Sequence, residues 1–170
     1  NKIAAAESYT YYNSLKQLAR TYNAPYLFET NVGAGLPIID TLNHLITSGD
    51  KVHSIQAILS GSLNFVFNEF SDKTTFREVV QQAMDAGFTE PDPKIDLSGV
   101  DVARKILILA RESGMQMELS DIDNDSFLPK ACLETKDNES FLASLDEHND
   151  HFTKLYASAK KNNSRLKYVA

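Results

Sequence analysis

The chain has 170 residues, 42% of them hydrophobic and 24% charged, which is enough for one sizeable core of ordinary composition. Its 17 Lys and Arg against 23 Asp and Glu leave a net charge of −6 and no basic stripe, which argues against nucleic acid as a partner. The longest apolar runs, such as Ile106 to Ala110, are too short to span a bilayer. A single cysteine, Cys132, permits no internal disulfide and fits a reducing, cytoplasmic setting.

Residues 7 to 22 predict a helix, because Tyr11, Tyr12, Leu15, Leu18 and Ala19 recur at helical spacing. Asn23-Ala-Pro25 ends it. Tyr26 to Glu29 reads as a short strand. Val32-Gly-Ala-Gly-Leu36 is a loop, and Pro37 suits the first turn of a helix running to about Thr47. After the turn Ser48-Gly-Asp50, Val52 to Leu59 reads as a strand with Val52, Ile55, Ala57 and Leu59 apolar. Ser60-Gly-Ser62 leads into a short helix ending near Phe70. Thr75-x-x-Glu78 is a capping box opening a helix that Gly87 terminates. A helix from Val100 to Ser113 ends in the same way at Gly114. An acidic, loop-rich stretch follows to Pro129, and one amphipathic helix is expected over roughly 139 to 162. Leu166 to Ala170 reads as a strand beginning. Strands alternating with helices predict an α/β to α+β fold. The chain opens on Asn1-Lys2 without a methionine and has no GxGxxG after a strand, so it is expected to be a piece of a longer protein.

The stretch from Ala83 to Lys105 is the most informative. It sets Glu90, Asp92, Asp96 and Asp101 beside Lys94 and Lys105. Gly87, Pro91 and Pro93 prevent one continuous helix, since proline lacks an N–H and restricts the residue before it. A helix beginning after Pro93 carries Asp101 and Lys105 one turn apart. A stiff acidic loop feeding such a helix suits a ligand ammonium held by carboxylates and a proton moved by the lysine. Apolar neighbours of Lys105 (Val102, Ala103, Ile106, Ile108) favour partial desolvation, which suits a lysine to proton transfer. Spacing alone also fits a plain helix start. Ser98-x-x-Asp101 is then a cap, and Asp101 with Lys105 an ordinary i, i+4 pair contributing a few tenths of a kcal/mol.

The order Ala83, Gly87-Phe-Thr89, Asp92-Pro93, Asp96-Leu-Ser-Gly-Val-Asp101, Lys105 resembles the homoserine dehydrogenase signature at every fixed position. SGVDVARKILILARESG is closer to the branch fused behind an aspartokinase. The resemblance covers most of the chain and weakens after about Glu134. Phe88 stands where that family often has tyrosine.

The resemblance implies NAD(P)-dependent interconversion of homoserine and aspartate semialdehyde, in threonine and methionine biosynthesis. It implies that residues 1–30 are the tail of a Rossmann-like nucleotide-binding domain. Residues 31–170 would then be a substrate-binding, catalytic and dimerisation domain with a mixed sheet covered by helices. Lys105 would transfer the proton. Lys2 would reach the active site from the cofactor side, and Gly87 would touch the cofactor, NAD or NADP. Glu90 and Asp101 would hold the substrate. Glu29, with the carbonyls of Val32, Ala34 and Leu36, would bind sodium, a hard ion suited to oxygen ligands. A homodimer or larger homo-oligomer is expected.

By residue chemistry alone the loop from Glu29 to Leu36 is a strand-to-helix turn with glycines for close packing, and Lys2 is a solvated terminal lysine. Ile58 to Leu63 is a strand-to-helix junction of a kind that often approaches ligands. Asp121 to Ser126 imitates the start of a calcium loop, but Ser126 and Cys132 stand where glycine and a bidentate glutamate are needed. His148 and His151 lack a third ligand at suitable spacing. A non-catalytic amino-acid-binding or regulatory module remains the alternative, favoured by a solvent-facing Lys105 and disfavoured by a partly buried one.

Overall fold

The computed structural model describes residues 2–170, so the Asn1 half of the Asn1-Lys2 expectation lies outside the described residues. In chain order the helices are α1 (Ile3–Ala6), α2 (Tyr9–Thr21), α3 (Ile38–Thr47), α4 (Gly61–Glu69), α5 (Phe76–Asp85), α6 (Pro93–Leu97), α7 (Val100–Glu112), α8 (Lys130–Leu133), α9 (Asn138–Glu147) and α10 (Asn149–Lys161). Short 3₁₀ turns cover Glu29–Asn31 and Leu119–Asp121. No helix among the described residues is long and apolar enough to cross a membrane.

The expected mixed sheet, and with it the α/β to α+β assignment, is corrected: the described residues contain no strand. Tyr26 to Phe28, Val52 to Leu59 and Leu166 to Ala170 carry no regular structure, and Glu29 opens a 3₁₀ turn. Ala57 and Ala170 do exchange both backbone hydrogen bonds, at 2.9 and 3.0 Å. One such pair is not a ladder. Alternating apolar residues report one-sided burial, whereas a sheet also needs a neighbouring backbone to bond. Phe28, Ile55 and Leu59 satisfy the burial half of that requirement by packing on helices instead.

The chain divides into two compact units. The first comprises residues up to Leu59, Val102–Asn124 and Ala170. Its core is Ala5, Val32, Ile39, Ile108 and Leu109, with Phe28, Leu42 and Ile106 among the partly buried residues around it. The Ser8 hydroxyl caps α2 by accepting from Tyr11. The Glu118 carboxylate also receives the Tyr9 N–H, at 2.9 and 3.0 Å, from the far side of the sequence.

The second unit comprises Ser60–Asp101 and Asp125–Val169. Helix α5 is its centre and packs on α4, α9 and α10. Phe76, Val79, Val80 and Ala83 fall at i, i+3, i+4 and i+7, and all are buried. Phe76 stacks on Phe152 with ring centroids 4.0 Å apart. Both halves of the Thr75–Glu78 capping box form, worth about 1 kcal/mol. At its other end Gly87 has φ +71, Gly87 N–H bonds Met84 and Phe88 N–H bonds Ala83. Those are the two bonds of a Schellman stop, and the left-handed residue is the reason for glycine. The single helix expected over 139 to 162 is two helices, because His148 interrupts it with φ −106 and ψ 17.

Candidate functional site

The acidic loop belongs to the second unit. Glu90 is exposed, and its backbone N–H donates to Asp96 Oδ2 at 2.8 Å. Asp92 caps α6 by accepting the Lys94 N–H at 3.0 Å, with Pro93 at the first helical position. The Lys94 ammonium bonds the Thr135 carbonyl, and Asn138 Nδ2 donates to the Pro91 carbonyl at 2.8 Å. Phe88 packs against Phe65, centroids 4.8 Å apart. Gly87 is exposed, and a Cβ there would meet nothing within 4 Å. The loop is therefore fixed by its surroundings as well as by its prolines.

Asp96 has the other half of its carboxylate on the serine junction. Its Oδ1 accepts the Ser62 hydroxyl at 3.0 Å, and Ser62 lies 2.9 Å from Ser60, hydroxyl to hydroxyl. Ser60 also caps α4 by accepting the Leu63 N–H. Both serines are buried. Asp96 thus joins the N-terminus of α4 to the Glu90 amide, a role its spacing alone did not announce.

Asp101 and Lys105 sit one turn apart on α7, both half-buried. The Ser98 hydroxyl donates to the Ile95 carbonyl, so it closes α6. In the first unit, Lys105 Nζ donates to the Leu59 carbonyl at 2.7 Å. Lys2 is half-buried and stands at the N-cap of α1. Lys2 and Lys105 belong to the first unit; Gly87, Glu90 and Asp101 belong to the second.

The Glu29 loop is built around the start of α3. Glu29 Oε1 accepts the Ile39 N–H and Oε2 the Asp40 N–H, each at 2.7 Å. The carboxylate therefore caps α3, where its charge also meets the positive end of the helix. Gly33 has φ +82, and a Cβ there would lie 2.6 Å from Ile38 Cγ1, so glycine is required by conformation and by space. Ala34 is also left-handed, with φ +52, and the Leu36 carbonyl accepts the Ile38 N–H at 2.9 Å. An all-oxygen donor set with one carboxylate suits sodium in type, although both carboxylate oxygens already receive an N–H.

Two charged residues with large roles were not singled out from sequence. The Arg111 side chain is fully buried and uses its guanidinium on the carbonyls of Ala5, Glu7 and Met117 and on the Glu118 carboxylate. Glu112 is buried beside it and accepts from Tyr12, from Lys16 at 2.9 Å and from Asn43 at 3.2 Å. Burial, then the bond to Glu112, pushes the Tyr12 hydroxyl well above its ordinary value. This cluster borders a cleft of about 410 Å³ that Glu29 also lines. A signal was present: Arg111 and Glu112 extend the buried face of α7 at helical spacing from Leu107 and Ile108.

A homoserine dehydrogenase family model matches residues 37–170. A bifunctional aspartokinase/homoserine dehydrogenase from Haemophilus influenzae is 45% identical over 99% of this chain and 21% of its own length. One from Buchnera aphidicola is 41% identical over 100% of this chain and 21% of its own. The chain thus spans about a fifth of these relatives. Among solved structures, a protein of unknown function from Candida auris superposes with a TM-score of 0.90 at 39% identity, over 99% of this chain and 49% of that one. A putative homoserine dehydrogenase from Archaeoglobus fulgidus gives 0.75 at 18% identity, over 100% of this chain and 46% of that one, a likeness of fold. With a family model matched over well more than half its length, the chain belongs to the homoserine dehydrogenase family.

Proposed function

We propose that the protein containing this chain is an NAD(P)-dependent homoserine dehydrogenase, fused to an aspartokinase, interconverting homoserine and aspartate 4-semialdehyde. Family membership over residues 37–170 is the observation that carries this reading. The half-buried Lys105, held by the Leu59 carbonyl, favours it over a module that merely binds an amino acid.

In this reading Lys105 moves the proton to and from the substrate oxygen, where reduction of the aldehyde develops negative charge. Glu90 and Asp101 hold the ammonium and hydroxyl ends of homoserine. A carboxylate on a braced loop loses little freedom on binding. The nicotinamide cofactor accepts or supplies the hydride when bound. Lys2 reaches the reacting groups from the cofactor side, and the open space at Gly87 leaves room for part of the cofactor. Residues 1–30 are read as the tail of a nucleotide-binding domain, and 31–170 as the substrate and dimerisation domain of a homo-oligomer. Glu29 and the carbonyls of Val32, Ala34 and Leu36 are read as a sodium site. The free, buried Cys132 suits a reducing, cytoplasmic compartment.

The test is an assay of the complete protein with homoserine and either NAD or NADP, following absorbance of the reduced cofactor. A homoserine-dependent rise with at least one cofactor is expected. No rise with either, in a protein that retains aspartokinase activity, would sink the reading.

A further inference from the structure

We infer that Asn138 is a positioning residue for substrate binding: it sets where the Glu90 side chain leaves the backbone by holding the carbonyl of the next residue, Pro91. The inference rests on Glu90 being a contact of the substrate ammonium. Glu90 has a tie on each side. Its own N–H goes to Asp96 at 2.8 Å, and the carbonyl of Pro91 receives Asn138 Nδ2 at 2.8 Å. Proline has no N–H, so that carbonyl is the only backbone hydrogen-bonding group Pro91 offers. The proline ring fixes φ at Pro91 and restricts Glu90 before it to extended conformations. With both ties made, the direction in which the Glu90 side chain leaves the backbone is nearly determined.

The holder is itself held. Asn138 is the first residue of α9, directly after the N-cap Asp137. Asp137 accepts the Ser140 N–H at 2.8 Å, and the Ser140 side chain accepts the Asp137 N–H in return. Two residues before this N-cap, on the same short link, Thr135 receives the Lys94 ammonium through its carbonyl. The acidic loop is therefore clamped at Pro91 by the first residue of α9 and at Lys94 by the link between α8 and α9. This segment lies where the motif resemblance is weakest. Forty-seven residues separate Asn138 from Pro91, so no local pattern could announce the contact.

A purely structural asparagine and a positioning one make different predictions. Asn138→Asp keeps the shape but removes the donor, while an added acidic residue in the first turn of α9 favours the helix. Loop placement and helix stability should then move in opposite directions. In the complete enzyme, Asn138→Asp and Asn138→Ala should each raise KM for homoserine by about 3- to 10-fold, the loss of one hydrogen bond's worth of loop order. Asn138→Asp should leave the melting temperature level or higher, and KM for the nicotinamide cofactor should not change in either variant. In a Glu90→Gln background, Asn138→Ala should add less than about two-fold, because the two residues act through one contact.

Unchanged homoserine KM in both Asn138 variants, with Glu90→Gln raising it, would overturn the inference and leave the reading of Glu90 standing. Full additivity of Asn138→Ala with Glu90→Gln would also overturn it, as would a parallel rise in KM for the cofactor. If Glu90→Gln itself leaves homoserine KM unchanged, the reading of Glu90 fails and the inference with it.

Discussion

Lys105 reaches the Leu59 carbonyl at 2.7 Å. Leu59 is the last residue before Ser60, the cap of α4. The amine proposed to move a proton is thus aimed by a backbone oxygen, which needs no ionisation of its own to hold it. In the complete enzyme, Lys105→Ala should lower kcat on the order of 10²-fold or more, with a smaller effect on KM for homoserine. Turnover near that of the parent would remove Lys105 from the chemistry.

Glu29 caps α3 with both oxygens. Glu29→Gln turns one acceptor into a donor facing an N–H, which should cost about 1–2 kcal/mol of stability. The cap predicts this loss in buffer containing only a bulky organic cation, before any sodium is added. Sodium should then stabilise the parent further and the variant less. Loss confined to sodium-containing buffer would show that the carboxylate serves the ion and not the helix.

Tyr12 gives up its proton less readily in the fold, because burial and the bond to Glu112 disfavour the phenolate. A raised value in the folded state means the stabilisation is complete below the unfolded value, near pH 10, and is lost as pH climbs toward the folded one. Melting temperature should therefore fall on the alkaline side of about pH 10, and Tyr12→Phe should flatten that limb while lowering stability at neutral pH. An unaltered alkaline slope in Tyr12→Phe would assign the loss to other groups.

Residues 1–170 by themselves should not dehydrogenate homoserine. Hydride transfer needs the nicotinamide held against the substrate carbon, and this sequence has no glycine-rich phosphate-binding turn. Purified and mixed with homoserine and NAD or NADP, they should give no steady rise in reduced cofactor. Clear turnover at ordinary cofactor concentrations would place the cofactor site within these residues.

Helix boundaries were legible because their signals are local. The Thr75–Glu78 box, Gly87 and Gly114 stop or start helices through bonds within a few residues. The extended segments were not legible as to outcome, since apolar alternation fixes which side is buried and leaves open what the backbone pairs with. The break at His148 was missed because α9 and α10 share one amphipathic pattern across it. In the acidic loop, the residue types were readable but the ties from Asp96 and Asn138 were not. The resemblance alone made Glu29 an ion ligand, and its bonds to the start of α3 depend on a turn whose path Gly33 and Ala34 decide. Arg111 and Glu112 were not singled out, because their partners lie elsewhere in the sequence.

Arg111 has a consequence for the order in which the chain folds. Its bonds to Ala5 and Glu7 span 106 and 104 residues, and the neighbouring bond from Tyr12 to Glu112 spans 100. The first unit therefore cannot close until α7 has been made, however early its opening helices form. Loop closure on that scale must precede the contacts that reward it, which slows folding. During synthesis, the carbonyls of Ala5 and Glu7 wait for Arg111 while the whole of Ser60–Asp101 emerges. The second unit has its own capping signals and aromatic centre, but it too waits, for α9 and α10. Both units thus finish late, and a ribosome stalled before Met117 would hold a chain in which neither has closed.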